Sequence, residues 1–161
     1  MWMSTLFAVL AATAPTGADG ADTLALNPEL PLSSCEGAAA TVHLSHATSR
    51  TIEGELHGLH EANAHVPNDS WCSGYVPESP QHCFIVATPM TVVFEVIDAS
   101  TIDSVLVLQD EDGALVRCDD DGGMNLLSRI EVPLAAGSYR MSVGSYGQGH
   151  IGAYRMTVNA R

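Results

Sequence analysis

The chain has 161 residues, with 19 acidic against six basic side chains, a formal net charge of −13, 14 glycines and four cysteines. That length supports one domain with a real core, and so negative a surface repels phosphate backbones and anionic lipid, which excludes nucleic acid and an anionic membrane surface as partners. All six basic residues are Arg; surplus carboxylates also keep a small domain soluble, so charge alone names no ligand.

In chain order, Trp2 to Ala14 is an apolar run shorter than the ~20 residues of a membrane span, followed by small and polar residues. It reads as the core of a signal peptide over residues 1–21, although no Lys or Arg precedes Arg50. Residues 22–39, rich in Ala, Gly, Asp and Pro, read as leader remnant or linker. A single domain is expected over 40–161. An exported chain would sit outside the cell, in the periplasm or on the cell surface.

Ala40 to His46 and Thr51 to Gly58 alternate as strands do, with Val42, Leu44, Ile52 and Leu56 as inward positions. Leu59 to Gln81 carries three prolines and several turn formers, which predicts a long loop pinned by cysteine. Four cysteines allow three pairings. Cys72 and Cys83 bracket ten residues with two prolines and a glycine, suiting a stapled hairpin and leaving Cys35 and Cys118 for a longer bridge.

Beyond Cys83 come β-prone runs at Phe84 to Val86, Thr91 to Ile97, Ser104 to Gln109, Ala114 to Cys118, Leu126 to Val132, Ser138 to Ser145 and Ala153 to Val158. Turn residues separate them, notably Asp110 to Gly113, Ala135 to Gly137 and Gly147 to Gly149. Seven strands after the loop and two before it predict an all-β fold, an antiparallel β-sandwich.

Four features bear on chemistry. Asp119, Asp120 and Asp121 form a glycine-flanked acidic run that Asp103 could join, and calcium accepts such carboxylates. The alternative is a solvated turn in which one aspartate caps backbone N–H groups. His57, His60 and His65 lack the helical spacing of a zinc site, and His43 and His46 point to opposite faces of a regular strand. Ser128, Ser142 and Ser145 have no partner base, and no nucleophile elbow or phosphate-binding loop is present. Among the aromatics, Trp71 and Tyr75 in the loop are candidates for ligand contact, whereas Tyr139, Tyr154 and their strands suit packing.

Several of these elements recur together: Pro67-Asn68-Asp69, Asp103-Ser104-Val105-Leu106, Asp110 with Gly113, the doublet within Asp119 to Asp121, and Leu134 to Tyr139 with Gly152-Ala153-Tyr154 closing the run. In that order, from about Pro67 to Val158, the chain resembles the bacterial pre-peptidase C-terminal domain family, related to clostridial collagen-binding domains. The resemblance implies a jelly-roll-like sandwich that is not catalytic, often binds calcium and helps a secreted enzyme fold or attach. By position it makes Asn68 and Asp69 calcium ligands and Asp103, Asp119, Asp120 and Asp121 an acidic rim. The chain departs from the family at Gln81-His82 and at Ala64-His65-Val66, where members with a calcium site carry acidic residues.

Together these readings lead to a secreted non-catalytic module that binds protein or polysaccharide, with calcium as an expected cofactor. A structural protein that self-associates through an edge strand is the alternative. A small metalloenzyme built on His57, His60 and His65 is the third.

Overall fold

The computed structural model describes residues 35–46, 48–65 and 72–161. The expected signal peptide, most of the expected linker, and Asn68, Asp69 and Trp71 lie outside the described residues.

Among the described residues eleven strands and one helical turn follow in order: β1 (Ala40–Leu44), β2 (Ser49–His57), β3 (His60–Glu61), α1 (Ala62–His65), β4 (Tyr75–Val76), β5 (His82–Val86), β6 (Met90–Asp98), β7 (Ser104–Gln109), β8 (Leu115–Asp119), β9 (Arg129–Leu134), β10 (Gly137–Ser145) and β11 (Ile151–Ala160). They form two sheets. In the first, β10 is central, with β7 and then β8 on one side and β5 and β4 sharing its other side; β1 extends β5 and β3 extends β4. The second runs β2-β11-β6-β9. The all-β sandwich expected from alternation is therefore the observed fold, with one difference. β1 pairs with β5 in parallel, Val42 opposite Phe84, whereas the other pairings are antiparallel.

Alternation sets the core. Phe84, Val86, Leu106, Leu108, Met141 and Val143 from the first sheet meet Leu56, Val92, Phe94, Val96, Ile130, Met156 and Val158 from the second. Phe84 and Phe94 bring their ring centroids to 4.8 Å, tilted 56°, an edge-inclined contact that aromatic quadrupoles favour. Successive residues of a strand face opposite ways, so Val105 and Val107 point to the outer face of the first sheet. There they are buried under Ala62, Cys72 and Val76.

Of the expected loop over Leu59 to Gln81, the described residues carry β3, α1 and β4 and form a strap whose Ala62, Cys72 and Val76 lie across that outer face. Its approach is close. A Cβ at Gly144 would fall 2.0 Å from the Tyr75 carbonyl oxygen, so only glycine fits beneath β4.

The cysteine pairing corrects the expectation from spacing. Cys35 bonds Cys83 and Cys72 bonds Cys118, each with Cα atoms 5.5 Å apart. Tyr75 pairs with Ser145 near one end of β10, whereas Cys83 pairs with Arg140, five residues back and ~17 Å along the strand. Cys72 and Cys83 are near in sequence but far apart on the sheet. Cys118 lies opposite Val107 on the face that the strap covers, which puts it under Cys72.

Gln81 occupies the gap between β5 and β4. Its Oε1 accepts from the Val143 N–H at 2.7 Å, and its Nε2 donates to the Val143 carbonyl at 2.8 Å and to the Glu55 carbonyl at 3.2 Å. The side-chain amide serves both backbone groups of Val143 as a strand neighbour would. The residue that departs from the family pattern has a structural role here.

Candidate functional site

One end of the sandwich gathers the features that packing does not explain. Here β2, β6, β8 and β10 finish and β7, β9 and β11 begin. Backbone bonds tie the connections together: Tyr146 N–H to the Asp103 carbonyl at 3.0 Å, Ser104 N–H to Leu126 at 3.3 Å, and Gly58 N–H to His150 at 2.9 Å. All six large hydrophobic side chains that are exposed among the described residues belong to this end: Leu59, Ile97, Met124, Leu126, Tyr146 and Ile151.

The loop between β8 and β9 is the most exposed of these, with Met124 at 73% and Leu126 at 59%. It is also the most constrained. Asn125 and Leu126 take left-handed conformations in succession, φ 57° and 63°, which non-glycine residues seldom hold without support. The support is visible. Asp119 Oδ2 accepts from the Gly122 N–H at 2.8 Å and the Arg129 N–H at 2.7 Å, gripping both ends of the loop. Inside it, Gly123 N–H donates to Leu127 at 2.7 Å and Leu127 N–H to Met124 at 3.2 Å. Ser104 and Ser128 seal the base, their hydroxyls 2.9 Å apart, with Ser128 N–H donating to the Ser104 hydroxyl at 2.9 Å. Both serines are buried, so Ser128 acts as a buttress.

The acidic residues divide by role. Asp119 caps backbone, as the solvated-turn alternative foresaw for one of them. Asp103 is half-buried, and no donor among the described residues reaches its enclosed Oδ1. Burial first, then the charges of Asp121 and Asp120, push its carboxyl above the usual carboxylate range. The fold therefore brings Asp103, Asp120 and Asp121 within electrostatic reach of one another. Among the described residues, however, no group of three or more His, Cys, Asp or Glu side chains is arranged to hold a metal ion. Asp98 next door is already committed, accepting from the Ser100 N–H at 3.0 Å and from Arg155 at 3.2 Å.

Between the β6–β7 connection and the β8–β9 loop lies a groove of about 270 Å³, lined by Ile97, Asp98, Ile102, Asp103, Leu126 and Leu127 with their neighbours. Elsewhere, Tyr75 is half-buried and borders a depression with Glu61, Asn63 and Ser73 beside the strap. His57 lies 3.2 Å from Glu55 on β2. Tyr139 and Tyr154 pack inward as expected, the Tyr139 hydroxyl donating to the Ala135 carbonyl at 3.1 Å.

Sequence reasoning passed over His82 and the apolar loop residues. His82 is buried between the sheets, with Nε2 hydrogen-bonded to the Tyr154 hydroxyl and Nδ1 unpartnered. Burial lowers the His82 pKa and raises that of Tyr154. A Cβ at Gly54 would lie 2.7 Å from that hydroxyl, so the bare backbone of β2 makes room for the pair. The signal for the loop was present in Met124, Leu126 and Leu127, apolar residues in a turn that has no alternation to bury them.

No family and no curated protein matches the chain. Solved structures do. The pre-peptidase C-terminal domain of collagenase from Bacillus anthracis is similar at 19% identity and a TM-score of 0.48, covering 74% of this chain and 94% of that one. A periplasmic inhibitor of g-type lysozyme from Aeromonas hydrophila is similar at 11% identity and a TM-score of 0.45, covering 77% and 98%.

Proposed function

We propose that this chain is a non-catalytic recognition module of an oxidising, extracytoplasmic compartment, and that its loop end binds a basic protein. The observation that carries this reading is the gathering, at that end, of all six large hydrophobics exposed among the described residues, two of which, Ile97 and Leu126, share a groove with Asp103. Soluble domains seldom leave apolar side chains grouped on a rigid surface without a partner to cover them. A net charge of −13 favours a basic one.

Protein is favoured over polysaccharide because five of the six side chains are aliphatic or Met, and Tyr146 alone could stack on a sugar ring. Two cystines suit the compartment, since such bonds persist where thiols are not kept reduced. Self-association through an edge finds less support. β9 carries Pro133 with Arg129 and Glu131, and β2 is bonded back to the first sheet through Gln81.

The test is surface plasmon resonance on the immobilised chain with panels of basic proteins, acidic proteins and polysaccharides. Saturable binding to a basic protein, weakened at least tenfold by Met124→Ser with Leu126→Ser, is the expected result. Binding confined to polysaccharides, or indifferent to those substitutions, would refute it.

A cation is a second reading, favoured by the mutual repulsion at Asp103. Calcium drawn to Asp103, Asp120 and Asp121 would act as an electrostatic brace, because the side chains do not form a closed ligand set. Added calcium should then raise the melting midpoint, and Asp103→Asn with Asp121→Asn should remove the rise. Equal melting with calcium and with a chelator excludes the brace.

A further inference from the structure

We infer that the groove between the β6–β7 connection and the β8–β9 loop receives an arginine side chain from the protein partner, its stem against Ile97, Ile102, Leu126 and Leu127 and its guanidinium at Asp103. This rests on the reading of the loop end as a protein-binding surface and names what that surface recognises.

The argument is one of matched chemistry. The groove offers aliphatic wall from Ile97, Ile102, Leu126 and Leu127 among the polar Ser100, Thr101 and Asn125, and besides Asp98 its one carboxylate is Asp103. Asp98 is taken by Arg155 and the Ser100 N–H, whereas Asp103 has no ion pair among the described residues. An arginine has the same division, an aliphatic stem and a charged, planar tip that is more weakly hydrated than an ammonium and matches a carboxylate in shape. Size agrees. At about 270 Å³ the groove falls below the range of sites that enclose drug-sized molecules, yet it has room for one long side chain.

Charge agrees as well. Burial is the main cause that raises the Asp103 carboxyl, and the charges of Asp121 and Asp120 act in the same direction, so those two carboxylates add to the negative field at the groove and reward a cation there. The nearby guanidiniums are committed elsewhere, Arg129 to Glu131 and Arg155 to Asp98. Finally, the groove is preformed. The Asp119 clasp and the Ser104–Ser128 contact hold Leu126 in place before any partner arrives, so little ordering entropy is lost on binding.

The experiment titrates the ¹⁵N-labelled full chain with the peptide acetyl-Gly-Arg-Gly-amide and, in parallel, with its citrulline counterpart, which keeps the stem and loses the charge. Saturable shifts of the backbone amides of residues 97–103 and 124–127 are expected with arginine. Affinity at least tenfold lower is expected with citrulline and with Asp103→Asn, a substitution that removes a repelled charge and so preserves the fold. Shifts scattered over other acidic residues, equal affinity for citrulline, or an unchanged affinity in Asp103→Asn would each overturn the proposal. Should the peptide fail while Met124→Ser with Leu126→Ser still abolishes capture of a basic protein, the arginine pocket is wrong and the recognition module stands.

Discussion

The two faces of the first sheet bury apolar side chains by different means. On the inner face Leu106 and Leu108 meet a second sheet, and neighbours from nine strands pack around the tilted pair Phe84 and Phe94. On the outer face Val105 and Val107, from the same strand, are covered by Ala62, Cys72 and Val76 of a strap tied down by the Cys72–Cys118 bond. One layer holds through area and interdigitation; the other depends on a covalent tether. The contrast shows that strand alternation specifies two apolar faces without specifying what will cover the second.

Three measurements sharpen or break that comparison. The largest effect is expected for Phe94→Ala, which opens a hole in the layer with no tether to fall back on. Urea unfolding should show a loss of ~3–5 kcal/mol. A loss under ~1 kcal/mol would mean that the inter-sheet core collapses around the gap and is not the dominant layer.

Next comes removal of the tether with Cys72→Ala and Cys118→Ala, expected to cost ~2–4 kcal/mol by freeing the unfolded chain. Hydrogen exchange should accelerate in 59–65, 72–76 and β8 while β6 and β11 stay protected. Uniform acceleration would show that the two layers unfold as one.

The smallest effect concerns the buried His82. Its pKa in the folded state lies below the ordinary 6.5, so the unfolded chain takes up this proton first as the solution is acidified. Stability from this group is complete above about pH 6.5 and declines as the pH falls toward the lowered folded value. Melting midpoints measured from pH 7.5 to 5 should fall more steeply for the native chain than for His82→Gln. Parallel profiles would remove His82 from the account.

Much of the scaffold was legible. Ser138 to Ser145 and Ala153 to Val158 alternate cleanly, and each is a strand with its apolar set turned inward, while the unbroken apolar run of Ser104 to Gln109 is a strand buried on both faces. Pairing was not legible, because a period of two says which face a residue takes and nothing about its neighbour. Hence the parallel β1–β5 pair and both cystines needed three dimensions. Gln81 stood out only as a departure from an acidic position, since its bonds to Val143 and Glu55 exist only where β4 and β5 share an edge.

The site was half legible. Asp103, Asp120 and Asp121 do lie within reach of one another, but Asp119 spends one oxygen on Gly122 and Arg129. Leu126 has the composition of a strand residue and was assigned to one. Its left-handed backbone and its exposure come from the clasp at the loop's base, which no local propensity encodes.

Arg161 exchanges both of its backbone hydrogen bonds with Thr91, each at 2.9 Å, where β11 finishes and β6 starts. Ile151, at the opposite tip of β11, stands ten residues away, a distance of ~33 Å along an extended strand. Anything joined to the molecule at Arg161, whether a bead, a fluorophore or a carrier domain, would therefore hold the sandwich at the end away from the exposed loops and aim them outward. That polarity makes the Arg161 side of the sandwich the natural handle for every capture experiment.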